Sequence, residues 1–212
     1  MKFIFNNVLV LSPHTDDVEF GAGATVHKLI KNGSRVSYVA FSICEESVPN
    51  GFPKDILDKE VRLSTAKLGI KNEDVITLRY KVRKFSYARQ DILEDLVKIR
   101  AKAGPFDLVL VPSLHDIHQD HEVICREGIR AFKNTTLLGY ELGWNIIHFD
   151  TQCFSVIGDI DLNAKIAAIQ EYKSQGHRKY SDPDIIKSLA KVRGLQAGCD
   201  YAEAFEVIRL FM

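Results

Sequence analysis

The feature that most constrains the fold is a repeated alternation between short apolar runs and helix-length amphipathic segments. The first run, VLVLS (8–12), is apolar almost throughout, which is typical of a strand buried on both faces of a parallel sheet. Similar runs alternate with helical patterns as far as AFEVIRLF (204–211). This order predicts an α/β fold, a Rossmann-like three-layer α/β/α arrangement with a mostly parallel sheet and its active site at the carboxyl ends of the strands.

Two helix boundaries matter for the site. The helix after the first strand is expected over Gly21 to Asn32, with Gly33 closing it, and a later helix is expected from about Glu122 to Phe132. A chain of 212 residues, 46% of them hydrophobic, can bury one sizeable core. Because no linker, repeat or low-complexity segment interrupts it, we expect one domain over residues 1–212.

The amino-acid composition limits the classes of partner that the protein is expected to bind. Lys plus Arg and Asp plus Glu both number 28, so no net field favours nucleic acid or an anionic membrane. No apolar stretch approaches the ~20 residues that span a bilayer. The four cysteines form no C-x-x-C pair, which argues against a disulfide framework and favours a reducing compartment. We therefore expect a cytoplasmic protein that acts on a small molecule, either alone or as a homo-oligomer.

Ionisable side chains cluster where two of the strands end. The segment PHTDD (13–17) follows the first strand, and HDIHQDH (115–121) follows FDLVLVPS (106–113). Ligands of open α/β sheets bind beyond the carboxyl ends of strands, so the two segments are expected to meet. Imidazoles and carboxylates without thiols suit zinc or another divalent transition metal in a catalytic role. The candidates are His14, Asp16, Asp17, His115, Asp116, His118, Asp120 and His121.

Each segment alone has a plainer interpretation. Asp16 or Asp17 could cap the following helix, and the histidines could be exposed loop residues. Four of the seven histidines nevertheless fall in these two segments, and that coincidence favours a site. Spacing alone leaves His115 or His118 open as a fourth ligand. A dinucleotide site is disfavoured, because the turn carries Asp16, Asp17 and Glu19, which would repel a pyrophosphate and attract a cation.

The motifs PHTDDVEFGAG (13–23) and HDIHQDH (115–121) resemble those of the LmbE-like or PIG-L family of zinc-dependent N-deacetylases, A/P-H-P-D-D-x-E and H-x-D-H. The resemblance covers most of the chain and extends to GYELGW (139–144), EYKSQ (171–175) and GCDYAEAFEVIRL (198–210). One departure is Thr15, where the family normally has proline. A proline would stiffen the turn, but its replacement removes no ligand.

The resemblance implies roles for six residues. Three are expected to bind the metal: His14, Asp17 and His121. Three are expected to be catalytic: Asp16 as general base, His118 as the group that stabilises the oxyanion in its protonated form, and Asp120 as the residue that orients His118. The metal is expected to be Zn²⁺, although Fe²⁺ or another divalent ion would suit the same donors.

The activity implied by the resemblance is hydrolytic removal of an N-acetyl group from an N-acetylated amino sugar conjugate of the N-acetylglucosamine type. Arg62, Tyr140 and Trp144 are candidates for substrate contact, the aromatic residues by stacking on a sugar ring and Arg62 by binding an anionic aglycone. Two alternatives remain. The same site could act on another small acylamide, such as an N-formyl sugar or a thiol conjugate, or the protein could be a non-catalytic sugar-binding relative.

Overall fold

The computed structural model describes residues 4–211; the two ends of the predicted domain, residues 1–3 and 212, lie outside the described residues. Its strands are β1 (Asn7–Ser12), β2 (Arg35–Ala40), β3 (Val75–Thr77), β4 (Leu108–Pro112), β5 (Thr136–Tyr140), β6 (Cys153–Ile157) and β7 (Tyr201–Arg209). Its helices are α1 (Asp17–Lys31), α2 (Ile56–Lys67), α3 (Arg89–Ala103), α4 (Gln119–Ala131), α5 (Asp159–Ile169) and α6 (Pro183–Ala197).

The seven strands form one sheet in the order β3-β2-β1-β4-β5-β7-β6. The first five strands of that order are parallel, and β7 runs antiparallel to both β5 and β6. Helices cover both faces of the sheet. The predicted α/β fold with a mostly parallel sheet is therefore confirmed.

The first strand shows why its apolar run is continuous. Val8 and Val10 lie in the core beneath one face of the sheet, whereas Leu9 and Leu11 lie in the core beneath the other. All four are fully buried. Because successive side chains of a strand point to opposite faces, a strand covered on both sides needs an apolar residue at every position. Each such side chain contributes roughly 1.5–3 kcal/mol when buried.

The register of β1 against β4 brings distant parts of the chain together. The two strands are parallel neighbours, with Val8 opposite Leu108 and Val10 opposite Leu110. Their carboxyl ends, Ser12 and Pro112, therefore lie at the same edge of the sheet. The segments that follow these strands leave the sheet side by side although about a hundred residues separate them.

Both helices that leave this edge begin earlier than predicted. α1 begins at Asp17 rather than Gly21, since two acidic residues in its first turn favour the helix N-terminus. α4 begins at Gln119 rather than Glu122, because the ring of His118 accepts a hydrogen bond from the backbone of Asp120 and caps the helix. Within residues 4–211, none of the helices has the length and apolarity needed to cross a membrane.

Candidate metal centre

Three side-chain atoms from the two predicted segments converge at the carboxyl edge of the sheet. His14 Nδ1 lies 3.3 Å from Asp17 Oδ2, His121 Nε2 lies 3.2 Å from the same carboxylate oxygen, and the two ring nitrogens are 3.2 Å apart. His14 belongs to the loop after β1, Asp17 is the first residue of α1, and His121 lies in the first turn of α4. The structure thus brings together the three residues expected to bind a metal.

The triangle has the dimensions of a metal site. Two ligands about 2.0–2.1 Å from a tetrahedral zinc ion are themselves about 3.3 Å apart, which matches the separations of 3.2–3.3 Å found here. The three residues line a cavity of about 320 Å³. A catalytic metal needs three protein ligands and one position open to the substrate, and the arrangement satisfies both requirements.

His118 also lies close to this triangle. Its ring, together with those of His14 and His121, offers donor atoms within 4.8 Å of one another. His118 Nδ1 accepts a hydrogen bond of 3.2 Å from the backbone N–H of Asp120, so the proton of the neutral ring is on Nε2, and a protonated nitrogen does not bind a metal. We therefore favour Asp17 over His118 as the third ligand.

The pKa values show that the triangle stabilises positive charge. Burial raises the pKa of the Asp17 carboxyl, but the charges of His121 and His14 outweigh it and hold that pKa well below its usual value. Burial lowers the pKa of His121, yet the charge of Asp17 and the hydrogen bond to Asp116 raise it to about 10. A site that retains protons so strongly also attracts a cation. The cation replaces the protons when the side chains are deprotonated.

Each imidazole of the triangle is held by a carboxylate on its other nitrogen. His121 Nδ1–H donates to Asp116 Oδ2 at 2.7 Å, and His14 Nε2–H donates to Asp120 Oδ2 at 3.1 Å. Such hydrogen bonds fix the tautomer and orient the ring for metal binding. The Asp120 carboxylate holds His14, whereas Asp120 contacts His118 through its backbone N–H. That Asp120 orients His118 stays a prediction.

The Asp120 carboxylate is in turn fixed by the basic loop after β3. It accepts hydrogen bonds from the backbone N–H groups of Arg83 at 2.5 Å and Phe85 at 3.3 Å. Arg83 has a φ of 63°, an uncommon left-handed conformation for a residue other than glycine and one often found at functional sites. The loop therefore contributes backbone donors to the site.

Asp16 occupies the N-cap position of α1, but its side chain makes no capping hydrogen bond. Its carboxylate lines the same cavity, with Oδ2 lying 3.4 Å from a guanidinium nitrogen of Arg178. Burial and the charge of Asp17 raise the pKa of Asp16, whereas Arg178 lowers it. The simple capping interpretation is therefore wrong for Asp16. Arg178 belongs to the segment after α5, and no motif in the sequence identified it.

The part of the chain that supplies the triangle matches a known protein family. The family described as PIG-L, GlcNAc-PI de-N-acetylase, matches residues 9–132, a range that contains both the His14 segment and the His121 segment. The chain belongs to the PIG-L family. Members of the PIG-L family are de-N-acetylases by description.

Individual relatives are more distant. The uncharacterized deacetylase YaiS of Escherichia coli is 24% identical over 173 residues, which cover 79% of this chain and 90% of that protein. The N,N'-diacetylchitobiose deacetylase of Pyrococcus horikoshii superimposes with a TM-score of 0.76 at 20% identity, over 96% of this chain and 84% of the other. The 4-carboxy-2-hydroxymuconate hydratase GalB of Pseudomonas putida gives 0.77 at 19% identity, over 98% of each chain. These two structures share the fold.

The residue that departs from the PIG-L motif, Thr15, is almost completely buried. Its carbonyl oxygen accepts hydrogen bonds from the hydroxyls of Tyr38, at 2.7 Å, and Tyr172. Both hydroxyls also contact the carboxylate of Glu19, at 2.7 Å, whose pKa burial raises to about 7. Two tyrosines therefore hold the turn that carries the candidate metal ligands His14 and Asp17.

The three residues predicted to contact substrate differ in position. Trp144 lines the cavity, and its ring stacks on Tyr180 with centroids 4.2 Å apart. Tyr140 does not reach the cavity: it is fully buried, and its hydroxyl donates to the backbone oxygen of Leu11 at 2.9 Å. That prediction is wrong because Tyr140 belongs to a strand covered on both faces.

Arg62 is the other substrate candidate that the structure does not support. Its guanidinium donates to Asn72 Oδ1 at 2.9 Å and lies 3.6 Å from Asp58. It is not among the residues that line the cavity. Arg62 therefore has partners of its own on the surface of α2, and its contact with an aglycone stays a prediction.

Proposed function

We propose that this protein is a metal-dependent hydrolase that removes the N-acetyl group from an N-acetylated amino sugar conjugate. The observation that carries the proposal is the triangle of His14, Asp17 and His121 with the Asp16 carboxylate beside it in one cavity. The family description and the deacetylase relatives support it. The hydratase with the same fold shows that the fold alone does not specify the reaction.

A metal ion would be held by His14, Asp17 and His121, whose donor atoms converge in the cavity. A bound zinc ion supplies a Lewis acid that polarises the acyl carbonyl and lowers the pKa of water to about 7. Ferrous iron would suit the same two imidazoles and one carboxylate. The Asp116 and Asp120 carboxylates keep both rings in the tautomers that present the donor nitrogens.

Asp16 is proposed to accept the proton of the attacking water. Burial and the neighbouring Asp17 raise the pKa of the Asp16 carboxyl, which makes its carboxylate more basic than an exposed one, while the charge of Arg178 opposes that change. A general base works best when its pKa approaches the working pH without exceeding it. Because Asp16 takes no part in the metal triangle or in capping α1, its carboxylate is free for this role.

His118 is proposed to donate a hydrogen bond to the oxyanion of the tetrahedral intermediate. The backbone N–H of Asp120 occupies Nδ1, so Nε2 carries the proton in the neutral ring. Burial and the charges of His121 and His14 lower the pKa of His118 to about 4. The donor is therefore a neutral imidazole, rather than the protonated ring that the sequence suggested.

The cavity wall suits a sugar. Trp144 is 42% exposed and lies stacked on Tyr180 at the edge of the cavity, so its ring can cover the apolar face of a pyranose. Gln175 lines the same cavity, and among residues 4–211 its buried Oε1 has no hydrogen-bond partner. A buried amide oxygen of this kind needs a donor, and a sugar hydroxyl would supply one.

The decisive experiment measures release of free amine from a panel of N-acetylated and N-formylated amino sugars, with and without a chelator. We expect release to require metal and to fall by about 10²–10⁴-fold in Asp16→Asn, with the metal retained. The matched control is Asp55→Asn, because Asp55 is the N-cap residue of α2 and also makes no capping hydrogen bond.

Full activity after complete metal removal, or an Asp16→Asn variant as active as the control, would refute the proposal. A zinc-loaded protein that binds an acylated sugar tightly without releasing amine would instead identify a binding protein. Release of formate with no release of acetate would show that the substrate carries an N-formyl group, and the proposed mechanism would still apply.

A further inference from the structure

A second group of metal-binding side chains lies outside the cavity. His115 Nε2 is 3.4 Å from Asp150 Oδ2, and His148 Nε2 is 2.8 Å from Asp150 Oδ1. Donor atoms of these three residues lie within 4.8 Å of one another. Glu206 lies beside this group, with its Oε1 3.4 Å from His115 Nε2. None of the four lines the cavity of the first centre.

The cluster forms where two loops are joined by backbone pairing. Asp116, after β4, forms an antiparallel bridge with Ile146, in the loop between β5 and β6. The N–H of Ile117 also donates to the carbonyl oxygen of Asn145 at 3.0 Å. This pairing places His115 of one loop beside the end of the other loop, which carries the two remaining surface ligands.

The carboxylate of Glu206 is buried beside the cluster and is held in place by hydrogen bonds. It lies on β7 with only 4% of its surface exposed, and its Oε2 accepts hydrogen bonds from Ser113 Oγ at 3.0 Å and from the backbone of Leu114 at 2.8 Å. Room for it depends on Gly139 of β5, where an added Cβ would lie 3.0 Å from Oε2. The carboxylate is therefore fixed by one oxygen and turned towards His115 with the other.

His148 and Asp150 form an ordinary hydrogen bond of 2.8 Å, but simple ion pairing does not account for the position of His115. His115 Nε2 lies 3.4 Å from an oxygen of Asp150 and equally far from an oxygen of Glu206. A ring nitrogen carries at most one proton, and 3.4 Å is long for a charge-assisted hydrogen bond. Ligands of one tetrahedral zinc ion, by contrast, are about 3.3 Å apart.

We propose that His115, His148, Asp150 and Glu206 form a second site for a divalent transition metal such as Zn²⁺, separate from the cavity. Two imidazoles and two carboxylates are a donor set that such ions accept. The ion links the loop between β5 and β6 to the loop after β4. Ser113 orients the carboxylate of Glu206 through a hydrogen bond. The site does not depend on the proposed hydrolase activity.

The test is a titration of the metal-free protein with Zn²⁺ in competition with a chromophoric chelator. Wild type binds two equivalents, and His148→Ala weakens the second by at least ~10-fold while the first is unchanged. His148 is exposed, so its removal leaves folding intact. The control His27→Ala removes an imidazole that pairs with Asp161 elsewhere, and it retains both equivalents.

A second variant separates the two centres. Asp17→Asn weakens the first equivalent and leaves the second unchanged. Binding of a single equivalent that Asp17→Asn abolishes, or a second equivalent of equal affinity in His148→Ala, would overturn the proposal. Because the readout is metal binding, absence of deacetylase activity would leave the result of this experiment unaffected.

Discussion

Replacing Asp116 by asparagine tests how the metal triangle is held. The carboxylate serves two donors at once: Oδ2 accepts from His121 Nδ1–H at 2.7 Å, and Oδ1 accepts from the backbone N–H of His118 at 2.9 Å. Asparagine has the same shape but a single acceptor oxygen. If that oxygen keeps the bond to the backbone of His118, the amide NH₂ faces His121 Nδ1. His121 then favours the tautomer with its proton on Nε2, which is the nitrogen proposed to bind the metal.

The expected magnitude follows from losing one supporting hydrogen bond. Partners of this kind are worth about 10–100-fold in metal affinity, which corresponds to about 1.4–2.7 kcal/mol. The assay is competition between the metal-free variant and a chelator for Zn²⁺, followed at the tighter site. Because Asp116 is buried, thermal unfolding of the metal-free form is measured in parallel, so that a loss of stability is recognised separately.

The control for this substitution is Asp74→Asn. Asp74 is also buried and accepts hydrogen bonds from Arg35, at 2.6 and 3.1 Å, but it precedes β3 at the opposite edge of the sheet. We expect the Asp74→Asn protein to be less stable than wild type and to bind zinc with unchanged affinity. Equal zinc affinities in Asp116→Asn and wild type would refute the reasoning, as would an equal weakening in the control.

Three further predictions follow from other contacts. Tyr140→Phe leaves the buried carbonyl of Leu11 without its 2.9 Å hydrogen bond, so denaturant unfolding should show a loss of about 1–3 kcal/mol with an unchanged KM. Gly21→Ala should cost a similar ~1–3 kcal/mol in the same assay despite its better helix propensity, because the new Cβ would lie 2.3 Å from the enclosed ring of Tyr140. Arg178→Gln removes a charge that lowers the pKa of Asp16, so the acidic limb of the kcat/KM profile should move to higher pH; an unmoved limb would exclude this coupling.

The sequence predicted the parts of the site that depend on strand order. A strand buried on both faces needs a continuous apolar run, so VLVLS (8–12) and FDLVLVPS (106–113) were recognisable. Polar residues directly after such runs must lie at the carboxyl edge of the sheet. That reasoning placed the two segments near each other, and the family resemblance selected His14, Asp17 and His121 within them.

Other parts of the site depend on contacts that no local pattern encodes. Arg178 comes from an irregular segment after α5. It contacts Asp16 only because the tertiary structure places this segment beside the start of α1. Arg83 acts through its backbone N–H, whose direction is set by φ rather than by the side chain. The partner of the Asp120 carboxylate could not be chosen from sequence either, since His14 and His118 are both near it and only geometry separates them.

Tyr140 shows a further limit of sequence analysis. An aromatic residue at the end of an apolar run can face a ligand or pack inside the sheet, and composition does not separate the two. The register decides here, because Tyr140 lies opposite Pro112 of β4 and Phe205 of β7, enclosed between two neighbouring strands. Trp144, four residues later, lies beyond the strand and lines the cavity.

The hydrogen bonds from Tyr38 and Tyr172 to the carbonyl of Thr15 bear on how proteins with this kind of centre are recognised from their sequences. A turn held by remote hydroxyls can exchange its proline for another small residue during evolution without displacing a metal ligand. Searches that require the proline would then pass over competent enzymes. In this chain the His-x-Asp-Asp turn is held by two distant tyrosines, one on the second strand and one after the fifth helix.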